Sequence, residues 1–369
     1  MRNVEKADVM ASGRFVGTIA LTDRGLTAFE YSPQWIESGF SISPFSLPLK
    51  PGLFTATNSA FEYIAGVFDD CLPDGWGRLL TDRYLASLGI DPTQTSIITR
   101  LCMLGDNSSG LLEFIPRFEE SKGTDKLDLD ASFSTSRLIL AEKDISKYAM
   151  DDLFHNGGSS GGARPKINAR IDGELWIVKF PTSMDGEDAG VKEYDCNLRA
   201  VDAGLDTASF RLMESKLTKG FFASKRFDRK NGKRIHMISL SGLLESSHRS
   251  PSLDYRHLFK ATHFLTKDEN QMYEAFRRAV FNVKIGNQDD HGKNFSFLYD
   301  EVSRKWHLSP AYDLTISTTY YGEHSTSVCG KGKNITDDDL RRLADEAGLD
   351  SRKREEILND VSTACRTIS

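Results

Sequence analysis

The sequence predicts an α+β protein in two parts, a small-sheet N-terminal subdomain and a larger core in which hairpins precede helices. Strand-like segments separated by turn residues open the chain at 14–31. A glycine-rich loop leads into two further hairpins within 157–227, and helical patterns dominate beyond residue 231. Strands and helices that are segregated along the chain in this way are typical of α+β folds.

The N-terminal part begins with a predicted β-hairpin. RFVGTIAL (14–21) and GLTAFEY (25–31) are rich in apolar and β-branched residues and are separated by TDR, a pattern typical of paired strands. The Pro- and Ser-rich stretch at 43–52 predicts an extended connector. Residues 61–88 have mostly helical spacing, which LPDGWG (72–77) interrupts.

A polar and charged segment at 117–137 predicts a linker, and we place the main domain boundary there. The predicted N-terminal subdomain is then 1–120, the sheet-containing part of the core with the glycine-rich loop is 140–230, and the helical part is 231–369. A chain of 369 residues is long enough for more than one hydrophobic core.

The core opens with a predicted helix at 144–156, followed by two hairpins. KINARI and ELWIVKF flank Asp172-Gly173, a dipeptide that favours a tight hairpin turn. The amphipathic segment 191–204 predicts a helix that ends at Gly204. The second hairpin is centred on Lys219-Gly220.

Helices and one more hairpin are predicted in the last third of the chain. Residues 271–285 carry apolar side chains close to helical spacing. FSFLYD and KWHLSP predict the hairpin. Thr336 and Asp339 have the spacing of a capping box, and that helix is expected to stop at Gly348.

The composition, with 39% hydrophobic and 27% charged residues, is that of an ordinary globular protein. A net charge of −6 argues against a protein that binds nucleic acid over its whole surface, but it does not exclude a local basic patch. The five cysteines are scattered, which favours reduced thiols over a disulfide framework or a zinc site. The N-terminus lacks the pattern of a signal peptide, and no apolar run reaches the roughly 18 residues of a membrane span. We therefore expect a soluble cytoplasmic protein.

GGSSGGARPK (157–166) is a glycine-rich loop that runs into the first core hairpin. Glycines allow the backbone to approach phosphate oxygens closely, but flexible linkers have the same composition. Lys179 lies in the second strand, where it either faces solvent or reaches phosphates beneath the loop. Glu193 lies on the following helix. It could orient Lys179 in the way that a helix glutamate orients the strand lysine in protein kinases.

Asp289 and Asn294 are five residues apart in a loop that leaves a helix and enters a strand. Kinase catalytic loops use this offset for an Asp that takes or orients a hydroxyl proton and an Asn that holds Mg²⁺. Asp313 follows in SPAYDLT, where a kinase would carry its second metal-binding residue. Each of these could be an ordinary loop residue, but their order after a glycine loop and a strand lysine indicates phosphoryl transfer.

Taken together, these motifs resemble the HipA-like serine/threonine kinases, the toxins of HipBA-type toxin–antitoxin systems. The resemblance covers nearly the whole chain and implies a bilobal protein-kinase-like core, with ATP in a cleft between a sheet-bearing and a helical part. Arg164, Pro165 and Lys225 depart from the family's usual letters. The matching motifs are RFVGTIAL with GLTAFEY, LPDGWGRLL, SSGGARPK, VKFP, KRFDR, DDHGKNFSFL and PAYDL.

The resemblance also implies roles for individual positions. Asp289 would be the catalytic base, Asn294 and Asp313 would hold Mg²⁺ and take part in the nucleotide site, and Lys179 would contact the phosphates of ATP. The other implied nucleotide-binding residues are Gly161, Gly162, Ala163, Arg164, Pro165 and Lys166 in the loop, Lys225, Arg226 and Phe227 at the adenine, and His291, Gly292, Lys293 and Tyr312.

The implied reaction is transfer of the γ-phosphoryl group of ATP to a protein serine or threonine, with a translation component such as an aminoacyl-tRNA synthetase as substrate. Autophosphorylation of Ser159, or alternatively Ser160, would place about two negative charges where ATP phosphates lie and would inactivate the protein. The implied partner is a HipB-like helix-turn-helix antitoxin that makes most of the DNA contacts. Two alternatives stay open, a small-molecule kinase of the same fold and a pseudokinase that only binds.

Overall fold

The structure is a computed structural model that describes residues 3–118, 128–157, 161–247, 250–319 and 321–366. They form two compact units. The first contains the described residues up to Val191 together with Arg211–His236, and the second contains Lys192–Phe210 and the described residues from Met237 onward. The N-terminal segment and the core sheet therefore belong to the same unit, and the boundaries given above stay predictions.

Helices and strands are mixed, and the predicted α+β class is confirmed. The strands are β1 Lys6–Ala11, β2 Arg14–Leu21, β3 Thr27–Tyr31, β4 Leu53–Thr55, β5 Leu112–Ile115, β6 Lys166–Ile171, β7 Glu174–Lys179, β8 Phe210–Met213, β9 Phe221–Lys225, β10 Arg229–Lys230, β11 Lys233–Arg234, β12 His236–Ser239, β13 Ser296–Asp300 and β14 Lys305–Leu308. The helices are α1 Pro33–Ser38, α2 Gly66–Asp69, α3 Gly75–Ser87, α4 Ile97–Cys102, α5 Leu129–Leu140, α6 Lys147–Gly157, α7 Ala189–Asp202, α8 Leu240–Leu244, α9 Tyr255–Thr266, α10 Glu269–Ile285, α11 Asp337–Glu346 and α12 Ser351–Arg366.

The N-terminal sheet has the strand order β4-β3-β2-β1-β5. The predicted hairpin is confirmed as β2 and β3, which pair antiparallel from Gly17 opposite Tyr31 to Leu21 opposite Thr27. The sequence analysis did not assign β1, although its side chains alternate between exposed and buried. Strand β1 pairs with both β2 and β5, so β5 belongs to this sheet although it lies far from the other strands in the sequence.

The core sheet has the order β6-β7-β9-β8, and both of its predicted hairpins are confirmed. Asp172 and Gly173 have φ angles of 53° and 80°, the left-handed conformation that the tight turn requires. One face of this sheet packs on α3 and α6. The buried residues of this core include Trp76, Leu80, Tyr84, Phe154, Ile167, Val178 and Phe221.

The prediction of a linker at 117–137 is wrong for the residues from 128 onward. Helix α5 forms there, and Asp128 caps it by accepting a hydrogen bond from the N–H of Ala131 at 3.0 Å. Phe133 and Ile139 on α5 enter the same core as α3 and α6. The segment looks polar in the sequence because serines and threonines lie between the few apolar side chains that pack in the core.

The second unit confirms the predicted helix at 271–285 as α10, which lies against α9 and α12. The predicted hairpin is β13 and β14, joined to β12 in a three-stranded sheet. The capping box is also present, since Thr336 Oγ1 accepts from Asp339 N while the Asp339 carboxylate accepts from Thr336 N at 2.8 Å. In the described part of the chain no helix combines the length and the apolar character that crossing a bilayer requires.

Candidate active site

The loop that carries Asp289 starts where α10 ends. Gly286 has a φ of 78°, so the chain turns sharply out of the helix. The last two turns of α10 are largely buried, and the strand β13 begins at Ser296. The residues between them (287–295), which we call the catalytic loop after the role predicted for Asp289, are therefore held at both ends by packed elements.

The two neighbouring acids of this loop face opposite ways. The Asp289 side chain is 59% exposed, whereas that of Asp290 is fully buried. Asp289 is held through its backbone, because its N–H donates to Ser317 Oγ at 3.1 Å. An exposed carboxylate on a fixed backbone can meet an incoming hydroxyl group, and a buried one cannot.

Asp290 fastens the catalytic loop to the rest of the second unit. Its Oδ2 accepts from Tyr255 Oη at 2.7 Å and lies 2.9 Å from His324 Nδ1, while its Oδ1 accepts from Thr326 N at 3.1 Å. Asn282 Nδ2 donates to the Tyr255 hydroxyl at 3.0 Å. Burial and the Asp290 carboxylate raise the pKa of Tyr255 well above its ordinary value, so Tyr255 stays a hydrogen-bond donor.

Asn294 is oriented by the loop itself. Its Nδ2 donates to the backbone carbonyl of Asp289 at 2.8 Å, which reserves the amide oxygen for another partner. Amide and carboxylate oxygens are the ligands that Mg²⁺ and other hard cations prefer. Asn294 and the Asp313 carboxylate therefore have the donor chemistry that a magnesium ion needs.

Tyr312 links the segment that carries Asp313 to the catalytic loop. The Tyr312 hydroxyl donates to the backbone carbonyl of Lys293 and lies 2.6 Å from Ser296 Oγ. Asp313 has a φ of 56°, a left-handed conformation that is uncommon for a residue with a side chain and clusters at functional sites. The hydrogen bonds of Tyr312 thus join the segment that carries Asp313 to the loop that carries Asn294.

His291 and Gly292 each lie against residues of the second unit, and these contacts give both positions a local structural role. His291 Nε2 lies 3.8 Å from Asp289 Oδ1, so a protonated imidazole would attract that carboxylate. A Cβ at Gly292 would lie 2.5 Å from Leu253 Cδ1 and 3.2 Å from Ser241 N. Close packing of the loop therefore favours glycine at position 292.

The first unit holds the predicted phosphate-binding residues. Gly162 has a φ of +87°, and a Cβ there would lie 2.6 Å from Lys166 Nζ, so this ammonium group sits directly against the loop. Lys166 is directly opposite Lys179 in the β6–β7 ladder. Residues directly opposite each other in an antiparallel ladder carry their side chains on the same face of the sheet. The cationic residues of the glycine-rich loop and the strand are thus brought together.

Arg164, which departs from the family's usual loop, forms an ion pair inside the first unit. Its Nε and Nη2 lie 3.2 and 2.9 Å from Asp185 Oδ1, and Asp185 Oδ2 accepts from Thr182 N at 2.9 Å. The next residue, Pro165, is buried, and its carbonyl accepts from Phe180 N at 2.8 Å. These contacts connect the loop to the turn that follows β7.

The residues predicted to face adenine, Lys225 to Phe227, lie at the end of β9. Lys225 Nζ pairs with Glu174 Oε1 at 3.1 Å. The Arg226 guanidinium is buried and donates to Asp228 and to the carbonyl of Ser108. The Arg226 side chain thus has a structural role, and its main-chain N–H already donates to the Leu175 carbonyl at 2.9 Å.

Some predictions are not tested by these contacts. Ser159 and Ser160 lie outside the described residues. Glu193 is buried on α7, and its pairing with Lys179 stays a prediction.

Sequence reasoning missed Asp290 as an anchor and found no partner for His324, because the two residues are 34 positions apart. The doubled acid in NQDDH was the available signal for Asp290.

The mixed helices and strands place the chain in the α+β class. Family models narrow this further: a model described as the HipA N-terminal domain matches residues 7–115, and one described as the HipA-like C-terminal domain matches residues 158–368. The chain belongs to the HipA family. The resemblance that its motifs predicted is confirmed.

Similar proteins agree with this assignment. "Putative kinase Y4dM" of Sinorhizobium fredii is 26% identical over 378 residues, covering 95% of this chain and 88% of the relative. "Serine/threonine-protein kinase toxin HipA" of Shewanella oneidensis is 23% identical, covering 79% and 70%. HipA in a solved complex with HipB and operator DNA from Shewanella oneidensis matches with a TM-score of 0.72 and 18% identity, covering 97% and 88%. This last likeness shows the fold.

Proposed function

We propose that this protein is an ATP- and Mg²⁺-dependent serine/threonine protein kinase that acts in the cytoplasm as the toxin of a toxin–antitoxin system. The observation that carries the proposal is the exposed Asp289 carboxylate on a loop that buried Asp290 fastens, five residues before an Asn294 whose amide is oriented by that same loop. The kinase names of the relatives support the same reaction class.

In the proposed reaction, the hydroxyl oxygen of the substrate forms a bond to the γ-phosphorus while the bond to the ADP oxygen breaks. Asp289 accepts the hydroxyl proton, a contribution of about 10²- to 10⁴-fold for a positioned base. Asn294 and Asp313 would hold Mg²⁺. When bound, Mg-ATP would supply the phosphoryl group and a cation that neutralises its charge.

The first unit would bind the phosphates of the nucleotide. Lys166 and Lys179 offer two cations on one face of a hairpin, and the Lys166 ammonium lies against the loop at Gly162. A phosphate chain at this point would accept charge-assisted hydrogen bonds from the two lysines. Lys225 to Phe227 would contact the adenine through their backbone.

The proposed substrates are protein hydroxyl groups. One is the chain's own Ser159 or Ser160, whose phosphorylation would place negative charge beside the cations that bind ATP and so inactivate the enzyme. The other is a translation component such as an aminoacyl-tRNA synthetase. Both assignments rest on the family resemblance.

The proposed partner is a HipB-like helix-turn-helix antitoxin. The complex of HipA with HipB and operator DNA supports this, because its HipA has the fold of this chain. A net charge of −6 fits an arrangement in which DNA is contacted mainly through the antitoxin.

Mass spectrometry of the purified protein after incubation with Mg-ATP tests the proposal. We expect the wild type to gain phosphate on Ser159 or Ser160, and Asp289→Asn to gain none. Asp338→Asn is the matched control, because that carboxylate is 89% exposed on α11 and should leave the gain intact. Equal phosphate on wild type and Asp289→Asn would contradict the role of Asp289.

Nucleotide binding, measured separately by calorimetry, completes the test. Binding of Mg-ATP without self-phosphorylation would direct the search to an outside protein or small-molecule hydroxyl. Absence of both binding and phosphate transfer would overturn the proposal in favour of a pseudokinase that only binds other proteins.

A further inference from the structure

The LPDGWG segment of the N-terminal region contacts the glycine-rich loop within the first unit. Asp74, Gly75 and Trp76, which we call the anchor turn, start helix α3. Gly162 N donates to the Asp74 carboxylate, and Trp76 N donates to the Gly162 carbonyl at 2.9 Å. Both polar groups of Gly162 are therefore bonded to the anchor turn.

A third hydrogen bond holds the far end of the loop. The indole Nε1 of Trp76 donates to the carbonyl of Lys166 at 3.1 Å, and Trp76 is only 1% exposed. Because Lys166 begins β6 and faces Lys179, this bond fixes the residue at which the loop becomes strand. The ring of Trp76 belongs to the core shared by α3 and the core sheet, so the bond has a rigid donor.

The anchor turn also fits the loop sterically. A Cβ at Gly75 would lie 2.6 Å from the Gly162 carbonyl oxygen and 2.9 Å from Ala163 Cα, which is closer than real atoms approach. Gly75 also has a φ of +43°. Only glycine allows the turn and the loop to lie this close.

We infer that the anchor turn positions the glycine-rich loop for the phosphates of the nucleotide, so that Gly75 and Trp76 are positioning residues for ATP binding. This inference rests on the proposed kinase function. The anchor turn sets the position of Gly162, against which the Lys166 ammonium lies, and this ammonium is the group that would meet phosphate. Displacing the loop should weaken the binding of phosphates and leave the binding of the nucleoside unchanged.

Two substitutions test this, each with a matched control in the same unit. Gly75→Ala places a methyl group against the loop. Gly89→Ala also introduces alanine at a positive φ, +74°, but nothing lies within 4 Å of its Cβ. Trp76→Phe removes the indole bond to Lys166. Trp35→Phe removes an equally buried indole bond, to the Phe40 carbonyl at 2.9 Å, away from the loop.

The measurement is calorimetric titration of each full-length variant with the magnesium complex of a non-hydrolysable ATP analogue and, separately, with adenosine. We expect Gly75→Ala and Trp76→Phe to raise the dissociation constant of the analogue at least about tenfold, a loss of about 1.4 kcal/mol. The adenosine constant and both control variants should stay at the wild-type value. A variant that folds poorly would instead bind both ligands more weakly and would have a lower midpoint of thermal unfolding.

The outcomes separate this inference from the function on which it rests. If the wild type does not bind the analogue, the kinase proposal fails and the inference fails with it. If the wild type binds and both anchor-turn variants bind equally well, the inference alone is overturned. The inference is also overturned if the control variants Gly89→Ala and Trp35→Phe lose as much affinity for the analogue as Gly75→Ala and Trp76→Phe.

Discussion

The hydroxyl of Tyr255 donates to Oδ2 of Asp290 at 2.7 Å, and neither side chain reaches solvent. Tyr255 is the first residue of α9, and Asp290 is the residue after the proposed catalytic base. A buried, charge-assisted hydrogen bond is strong and has a fixed geometry. This bond therefore couples a packed helix to the position of the Asp289 backbone.

Replacing Tyr255 by Phe is expected to lower stability and phosphoryl transfer together. The lost hydrogen bond to a buried carboxylate costs about 1.5 to 3 kcal/mol, and the loop that carries Asp289 loses a support. The measurements are the urea midpoint and the rate of phosphate gain at saturating Mg-ATP. Tyr273→Phe is the control, because Tyr273 also donates to a carboxylate, that of Glu269, away from the loop. The same loss of rate in the control would show that Tyr255 acts through stability alone.

Asn294→Ala is expected to raise the magnesium concentration needed for half-maximal phosphate transfer by about ten- to a hundredfold, because the amide oxygen is a cation ligand in our proposal. The measurement is a magnesium titration at a fixed ATP concentration. Asn270→Ala, at an exposed site at the start of α10, should leave the titration unchanged. An unshifted magnesium curve in Asn294→Ala would remove Asn294 from the metal site.

Lys179→Met is expected to weaken Mg-ATP binding by about ten- to a hundredfold, since a charge-assisted contact contributes about 1.5 to 3 kcal/mol. Calorimetric titration with Mg-ATP measures the dissociation constant. Lys230→Met, an exposed lysine on β10, is the control. Weaker binding in both variants would indicate a general electrostatic effect.

Asp228→Asn is expected to destabilise the first unit by about 3 to 5 kcal/mol at neutral pH, because it leaves buried Arg226 and Arg229 without their carboxylate. Burial alone would raise the pKa of Asp228, but Arg226 and Arg229 outweigh it and hold that pKa well below its ordinary value. The stabilisation is therefore complete above the ordinary carboxyl pKa and is lost as the pH falls through the lowered one.

The measurement for Asp228→Asn is the denaturant midpoint of wild type and variant at a series of pH values. The difference between the two should be constant near neutral pH and should shrink below about pH 4. Asp172→Asn is the control, because its ion pair with Arg211 is largely exposed and should contribute little. A difference that grows toward acid pH would contradict the assigned sign.

The sequence predicted local features well because their signals are local. The turn at Asp172-Gly173, the helix ending near Ile285 and the capping box at Thr336 each depend on a few adjacent residues. The strand β1 and the helix α5 were missed, since each is short or polar and is stabilised by partners far away in the chain. Propensity is a weak guide where tertiary packing decides.

By itself the sequence determined the family, the α+β class and the order of the chemically competent residues, because spacing within a motif is preserved when the chain folds. Only the tertiary structure decided that Asp289 faces solvent while Asp290 is buried, and that Trp76 holds Lys166 from 90 positions away. Those relationships depend on which faces pack together, and packing joins residues whose separation in the chain carries no signal of their contact.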